Sequence, residues 1–224
     1  MELQMDLSAI ITKTIAESPK DEPRRYIGAS GIGKKCNRAI WYGFVGAERE
    51  APSAALKTTF EIGKRLEGLL LDYMESAKLN VVRPNVCNKH LFFKDKEIPL
   101  FQGHADALLV VPGGSICIVE IKTAKSSSFA QFKSKGLREW QESYFSQLQS
   151  YLGMSGYKRG VLLAINKDTS ELHHEWVDYD DIYYHELRCK AAVISVCEEP
   201  PEKINTNAIY YICNRCEFRK ICHV

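Results

Sequence analysis

The chain has 224 residues, with 30 Lys and Arg against 28 Asp and Glu and a formal charge of +2. That length suits one domain with appendages, expected to span 1–224, and the near-neutral balance excludes a global basic field, so a nucleic-acid site must be a local patch. No window of about 18 apolar residues exists, which excludes a transmembrane helix and a membrane partner.

The opening run MELQMDLSAIITKTI has neither the basic leader nor the apolar stretch of a signal peptide, so a cytoplasmic protein is expected. The segment GASGIGKKCNR (28–38) follows. Gly28, Gly33 and Lys34 fall where a G-x-x-x-x-G-K-[ST] phosphate loop needs them. Lys35, however, replaces the Ser or Thr that would bind Mg²⁺, and DEPRRYI is a poor buried strand. The segment reads instead as the approach to a helix that carries Cys36. Lys34, Lys35 and Arg38 then belong either at DNA phosphates or in a solvated turn.

Apolar Leu56, Phe60, Leu66, Leu70 and Tyr73 recur at helical spacing and predict a helix over 56 to about 77. Strand-like runs follow: NVVRPNV, KHLFFKD, GHADALLVV and SICIVEIKTA. The last two flank PGG and predict a hairpin. A long helix is expected over 130–156, with Trp140, Tyr144, Leu148 and Leu152 on one stripe. KRGVLLAINK and LHHEWVDYD predict a second hairpin around KDTS, and DIYYHELRCKAAVISVCE a closing helix. EPPEK breaks the chain before a cysteine-rich tail. The order predicts an α/β (α+β) fold in which one central mixed sheet is flanked by helices.

In IVEIKT, period two puts Glu120 and Lys122 on one face of a strand, at the end of the row begun by Ile116 and Ile118. Buried charges need partners, so such a break in an apolar row marks a candidate site. Asp106, in the preceding strand, lies opposite Ile121 if the loop is even, or opposite Glu120 or Lys122 if it is odd or bulged. Asp106 and Glu120 together suit a hard cation such as Mg²⁺ or Mn²⁺, with Lys122 placed to orient water or stabilise phosphate charge. The plainer reading is a surface strand with a Glu–Lys pair. Gln147 and Tyr151 are four apart and share a helical face, and Glu67 lies four after Gly63; each alone is an ordinary polar residue.

Eight cysteines are many for a reducing compartment, where clustered thiols read as metal ligands. CNRCEFRKIC supplies Cys213, Cys216 and Cys222, one short of a tetrahedral set. His223 is next to Cys222 and poorly placed to share a metal with it, which leaves Cys36 as the candidate fourth ligand. Cys87, Cys117, Cys189 and Cys197 read as buried, inert thiols.

The ordered set CNRAIWY, GHAD, EIK, QLQSY and CNRCEFRKIC resembles the RecB-type branch of the PD-(D/E)XK nucleases. It is most similar to the iron–sulfur members: CRISPR-associated RecB-like nucleases, AddB nuclease domains and phage relatives. The resemblance runs from about Ser30 to Cys222. It implies a restriction-endonuclease-like core and a metal-dependent DNA exonuclease acting on single-stranded or frayed ends, in a prokaryotic cell or encoded by a phage. It also implies a metal held by Asp106, Glu120, Glu67 and the Ile121 carbonyl, with Lys122 at the water and Gln147 and Tyr151 orienting the site or touching DNA. A [4Fe–4S] cluster, or Zn²⁺, on Cys36, Cys213, Cys216 and Cys222 would join segments 28–50 and 205–224 into one subregion. One position departs: where the family often has G-x-x-x-H, this chain has GKRLE, so Glu67 takes the place of the His. The rival reading is a non-catalytic DNA-end-binding or adaptor module working with recombination or CRISPR-adaptation proteins.

Overall fold

A computed structural model of the chain describes residues 6–19, 24–84 and 91–223. Cys87 and parts of the NVVRPNV and KHLFFKD runs lie outside the described residues. Chain order gives α1 (Leu7–Glu17), β1 (Ile27–Gly28), α2 (Ala29–Ile32), α3 (Asn37–Phe44), α4 (Ala54–Ser76), β2 (Asn80–Val82), β3 (Phe92–Lys94), β4 (Phe101–His104) and β5 (Ala107–Val110). It continues with β6 (Ile116–Ala124), α5 (Ser126–Lys135), α6 (Leu137–Trp140), α7 (Glu142–Ser155), β7 (Arg159–Asn166), β8 (Leu172–Asp178), α8 (Asp181–Val196), α9 (Tyr211–Asn214) and α10 (Arg219–Cys222).

The strands form two sheets where one was expected. The larger runs β2-β5-β6-β7-β8 and the smaller β1-β4-β3. β4 and β5 are separated only by Ala105 and Asp106, yet they pair with different neighbours: β4 with β1 and β3, β5 with β2 and β6. Both expected hairpins are present, β5–β6 and β7–β8, each antiparallel. β6 and β7 pair in parallel, because α5 to α7 carry the chain across between them.

β6 is the buried spine. Val119 and Ile121 pack with Leu70 and Leu71 of α4, while Ile118 belongs to the other core, with Leu148, Tyr151 and Leu152 of α7. Alternation therefore puts Glu120 and Lys122 on the α7 side.

Two helix expectations change. α4 spans the expected stretch, with Ser53 Oγ accepting the Leu56 N–H as its N-cap. Its apolar stripe is only partly core: Leu70 is buried, but Leu56, Phe60 and Tyr73 are exposed. Leu56 and Phe60 line an open groove instead. The helix expected over 130–156 is broken in two places. Gly136 has φ +77°, which turns the chain after α5. Glu175 Oε2 then accepts the Leu137 N–H at 2.8 Å, satisfying a backbone group freed by the break. Gln141, at φ −150°, separates α6 from α7.

The GASGIG segment is a packing element rather than a phosphate loop. A Cβ at Gly33 would come within 2.6 Å of Ser143 Cα, so glycine lets α2 lie against α7. Further on, α3 meets the tail. Ala39, Tyr42 and Phe218 form a small core, and the Glu50 N–H donates to the Glu217 carbonyl at 2.7 Å. Lys34 and Arg49 both pair with the Glu217 carboxylate. No helix among the described residues is long and apolar enough to cross a membrane.

Candidate active site

The β5–β6 register pairs Ala107 with Val119 and Val110 with Ile116. The loop between them, 111–115, has an odd number of residues, so one step further Asp106 stands beside Glu120. Its Oδ2 accepts the Ile121 N–H at 2.7 Å. Glu120 is fully buried, and the Lys122 ammonium donates to its Oε1. Glu120 Oε2 has no hydrogen-bond partner among the described residues. Glu67, half-buried on α4, completes the group.

The carboxyls raise one another's proton affinity. Burial, then the Asp106 charge, pushes Glu120 to about 8. The same two causes push Glu67 to about 7. Asp106 is raised by burial against the opposing pull of Lys122 and of the Ile121 N–H. Burial works to lower Lys122, but the Glu120 and Asp106 charges outweigh it and hold the ammonium above its usual range. Three crowded carboxyls and an orphaned buried oxygen fit a hard divalent cation, which supplies the missing positive charge. Among the described residues, no three His, Cys, Asp or Glu side chains are already closed into a metal cage.

Gln147 and Tyr151 come together in the core and do not line the open groove described below. Gln147 Nε2 donates to the Tyr151 hydroxyl at 3.0 Å, and that hydroxyl donates to the His104 carbonyl at 2.6 Å. Tyr151 is 2% exposed and Gln147 6%, a burial that suits the orienting half of the expectation rather than contact with DNA. Gly103 of the GHAD motif makes room for them: a Cβ there would meet Tyr151 Cε1 at 2.8 Å.

Sequence reasoning missed Tyr144 as part of the site. Its ring centroid lies 5.1 Å from Lys122 Nζ. The available signal was its spacing, three before Gln147 and seven before Tyr151, on the same face of α7. A groove of about 2100 Å³ runs past Glu67, Lys122 and Tyr144 to Cys36 and Cys216. Lys34, Lys35, Lys64 and Arg138 also line it. Arg38 does not, being engaged by the Pro201 carbonyl and the Tyr42 hydroxyl.

Cys36, Cys213, Cys216 and Cys222 line one small cavity with His223, whose Nε2 is buried without a partner among the described residues. Burial, with the neighbouring Cys36 and Cys222, raises the Cys213 thiol. Burial also raises Cys216, opposed by the Phe218 N–H, which donates to its sulfur at 3.5 Å. Soft thiol donors in an apolar pocket, one already accepting a backbone N–H, fit an iron–sulfur cluster or zinc. Cys117 is buried as expected, and Cys197 is half-buried. Cys189 is exposed on α8, 3.4 Å from His185 Nε2, contrary to the buried thiol expected there. It shares the outward face of α8 with His185 and Glu186, while Leu187 and Ala191 take the core side.

Comparison with known proteins bears on the fold and the family. The chain resembles the solved structure of LHK-Exo in complex with dAMP, with 15% identity, a TM-score of 0.58, and coverage of 77% of this chain and 87% of that one. It also resembles the alkaline exonuclease LHK-Exo from Laribacter hongkongensis, with 14% identity, a TM-score of 0.57, and coverage of 82% and 91%. A third likeness, to the crystal structure of SSO0001, covers 98% of this chain and 96% of that one at 19% identity and a TM-score of 0.56. At such identities the likeness is one of fold: the mixed α/β fold of restriction-endonuclease-like alkaline exonuclease structures, as expected. No curated protein sequence matches the chain. A family model matches residues 20–158, a span that holds Cys36, Glu67, the Asp106–Glu120–Lys122 strands and the Gln147–Tyr151 helix and stops before the cysteine tail. By that match the chain belongs to the family of the YqaJ-like viral recombinase domain.

Proposed function

We propose that the protein is a divalent-cation-dependent DNA exonuclease that hydrolyses phosphodiesters at single-stranded or frayed ends. The observation that carries this reading is the cluster of Glu67, Asp106 and Glu120 beside Lys122, with Glu67 and Lys122 on the wall of an open groove and Glu120 buried behind it. Family membership and the fold shared with an alkaline exonuclease support it.

Asp106, Glu120, Glu67 and the Ile121 carbonyl are the residues to hold Mg²⁺ or Mn²⁺. When bound, the cation supplies charge to neutralise the phosphodiester and ease attack by water. The chain's own residues do the rest. The Lys122 ammonium orients the attacking water and stabilises charge that develops on phosphate oxygens. As the water oxygen bonds to phosphorus and gives up a proton to solvent, the P–O ester bond breaks, the departing sugar oxygen takes up a proton from solvent, and the strand loses its terminal nucleotide. Tyr151 and Gln147 fix the backbone at His104, two residues before Asp106, and so hold that carboxylate in place. Lys34, Lys35 and Arg138 offer cations to the backbone of the strand in the groove. A purely adaptor protein has no use for buried like charges, which are costly to maintain.

Cys36, Cys213, Cys216 and Cys222 are proposed to hold a [4Fe–4S] cluster, with Zn²⁺ the other group such a set accepts, in a structural role joining 28–50 to 205–224. Anaerobic purification, metal analysis and digestion of end-labelled single- and double-stranded DNA with Mg²⁺ or Mn²⁺ test both parts. Cleavage that needs the cation and disappears in Asp106→Asn, Glu120→Gln and Lys122→Ala is expected. Cation-independent cleavage, or full activity in these variants, overturns the assignment.

A further inference from the structure

Lys122 is held from two sides. Its Nζ donates to Glu120 Oε1, and it lies 5.1 Å from the centroid of the Tyr144 ring. A ring face carries negative quadrupole density and attracts an ammonium. Tyr144 is itself fixed from the core. Trp140 meets it edge-on, with centroids 5.5 Å apart. Trp140 stacks on the buried ring of Phe132 at 4.6 Å and 19°, and its indole N–H donates to Ser128 Oγ at 2.9 Å. The ring position is thus set by α5 and α6, independently of the carboxylates.

The two holds differ in what they can survive. In the nuclease reading, on which this inference rests, Glu120 is also a cation ligand. A carboxylate that shares its lone pairs with a divalent cation grips an ammonium less firmly, since both compete for the same oxygens. An aromatic face is no ligand for Mg²⁺ and keeps its attraction. We infer that Tyr144 is a positioning residue, whose ring, locked by Trp140, keeps the Lys122 ammonium aimed into the groove once the Glu120 carboxylate is engaged. The ring does this and the hydroxyl does not, so Phe substitutes for Tyr and an aliphatic residue does not.

The first test needs no activity. In protein labelled with ¹³C-lysine, the Lys122 ε-methylene signal, identified by its loss in Lys122→Arg, is shifted upfield by the ring it faces. The shift is expected in wild type and Tyr144→Phe, with and without saturating Mg²⁺, and absent in Tyr144→Leu. Collapse of the shift when Mg²⁺ is added overturns the inference. The second test is kinetic. Tyr144→Leu is expected to lower kcat by about 100-fold, the scale of a misplaced reacting group, with KM for DNA unchanged. Tyr144→Phe is expected to retain most of the wild-type kcat. A raised KM with intact kcat makes Tyr144 a nucleotide contact and sinks the inference, as does equal behaviour of Phe and Leu. Tyr144→Met, flexible but without a ring, replaces Tyr144→Leu if that variant does not fold, with the same expectation. Wild-type protein without cation-dependent cleavage removes the nuclease reading and this inference together. Full kcat in Tyr144→Leu beside an active wild type removes this inference alone.

Discussion

The Tyr151 hydroxyl reaches across from α7 to donate to the His104 carbonyl at 2.6 Å, where β4 ends and the chain turns toward Asp106. Tyr151→Phe leaves that carbonyl and the Gln147 amide without their partner in a buried setting. A cost of about 1–3 kcal/mol is expected in urea unfolding, with a fall in kcat from loosened support of Asp106. Unchanged stability and kcat together make the contact incidental.

Gly103→Ala is expected to destabilise by about 1–3 kcal/mol through overpacking. The added carbon meets Tyr151 Cε1 at 2.8 Å and Ala29 Cβ at 2.9 Å, and neither is the end of a flexible side chain. Chemical denaturation checks this, and a neutral variant shows that α2 and α7 move apart freely.

How the site follows from sequence is clearest at β6. Its alternation and the Asp106 position are local signals, so Asp106, Glu120 and Lys122 were legible as one candidate group; the parity of the 111–115 loop, which sets Asp106 opposite Glu120, was not. The Gln147–Tyr151 pairing was legible as spacing, but not its burial, because spacing says which residues share a face and not what covers it. The exposed half of α4 hid for the same reason. The second sheet was illegible because it depends on β1, a two-residue strand pairing with β4 far along the chain. The break at Gly136 was hidden in a run of good helix formers, where one glycine reads as tolerated. Tyr144 was placed only on the stripe of a helix, where an aromatic residue is ordinary, and only three dimensions put Lys122 over its face.

Without a cation, stability should fall as pH rises. Glu120 moves to about 8 and Glu67 to about 7 from the ordinary 4.5, so the folded protein keeps protons that the unfolded chain has already lost. Their contribution is complete below pH 4.5 and is lost as pH climbs through 7 to 8. The charged and titratable groups facing them are Asp106, Lys122, Lys64 beside Glu67, Tyr151 beside Glu120, and each other, and Lys122 stays charged throughout. The Tm of EDTA-treated protein is expected to drop between about pH 5 and 9, and less so in Glu67→Gln. Mg²⁺ added at the alkaline end should restore it. A level Tm contradicts the crowding of the carboxyls.

Glu67→Gln also tests the carboxyl proposed to take the place of the His often found in the nucleases the sequence resembles. It is expected to lose activity that added Mn²⁺ partly restores, with weaker Mg²⁺ binding in calorimetry. Wild-type binding and turnover reduce Glu67 to a carboxyl on the wall of the groove.

Cys36→Ser and Cys216→Ser should lose bound iron or zinc and drop in Tm by similar amounts, because the bound group contributes to folding. The double variant should cost no more than either alone. Cys189→Ser should change neither quantity, since Cys189 is exposed on α8. Full metal content in Cys36→Ser places the fourth ligand elsewhere, with His223 the first candidate.

The meeting of α3 with the tail bears on when that pocket is made. The Tyr42–Phe218 contact, the Glu50–Glu217 backbone bond and the burial of Ala39 ask nothing of a bound group. Exposed ion pairs at Glu217 add little, but apolar burial is enough to hold residues some 170 apart in sequence at one another's side. Segments 28–50 and 205–224 are thus held together by packing, and the entropy of closing so long a loop is charged to folding itself. The metal group proposed for the four thiols would tighten a seam that apolar burial already makes.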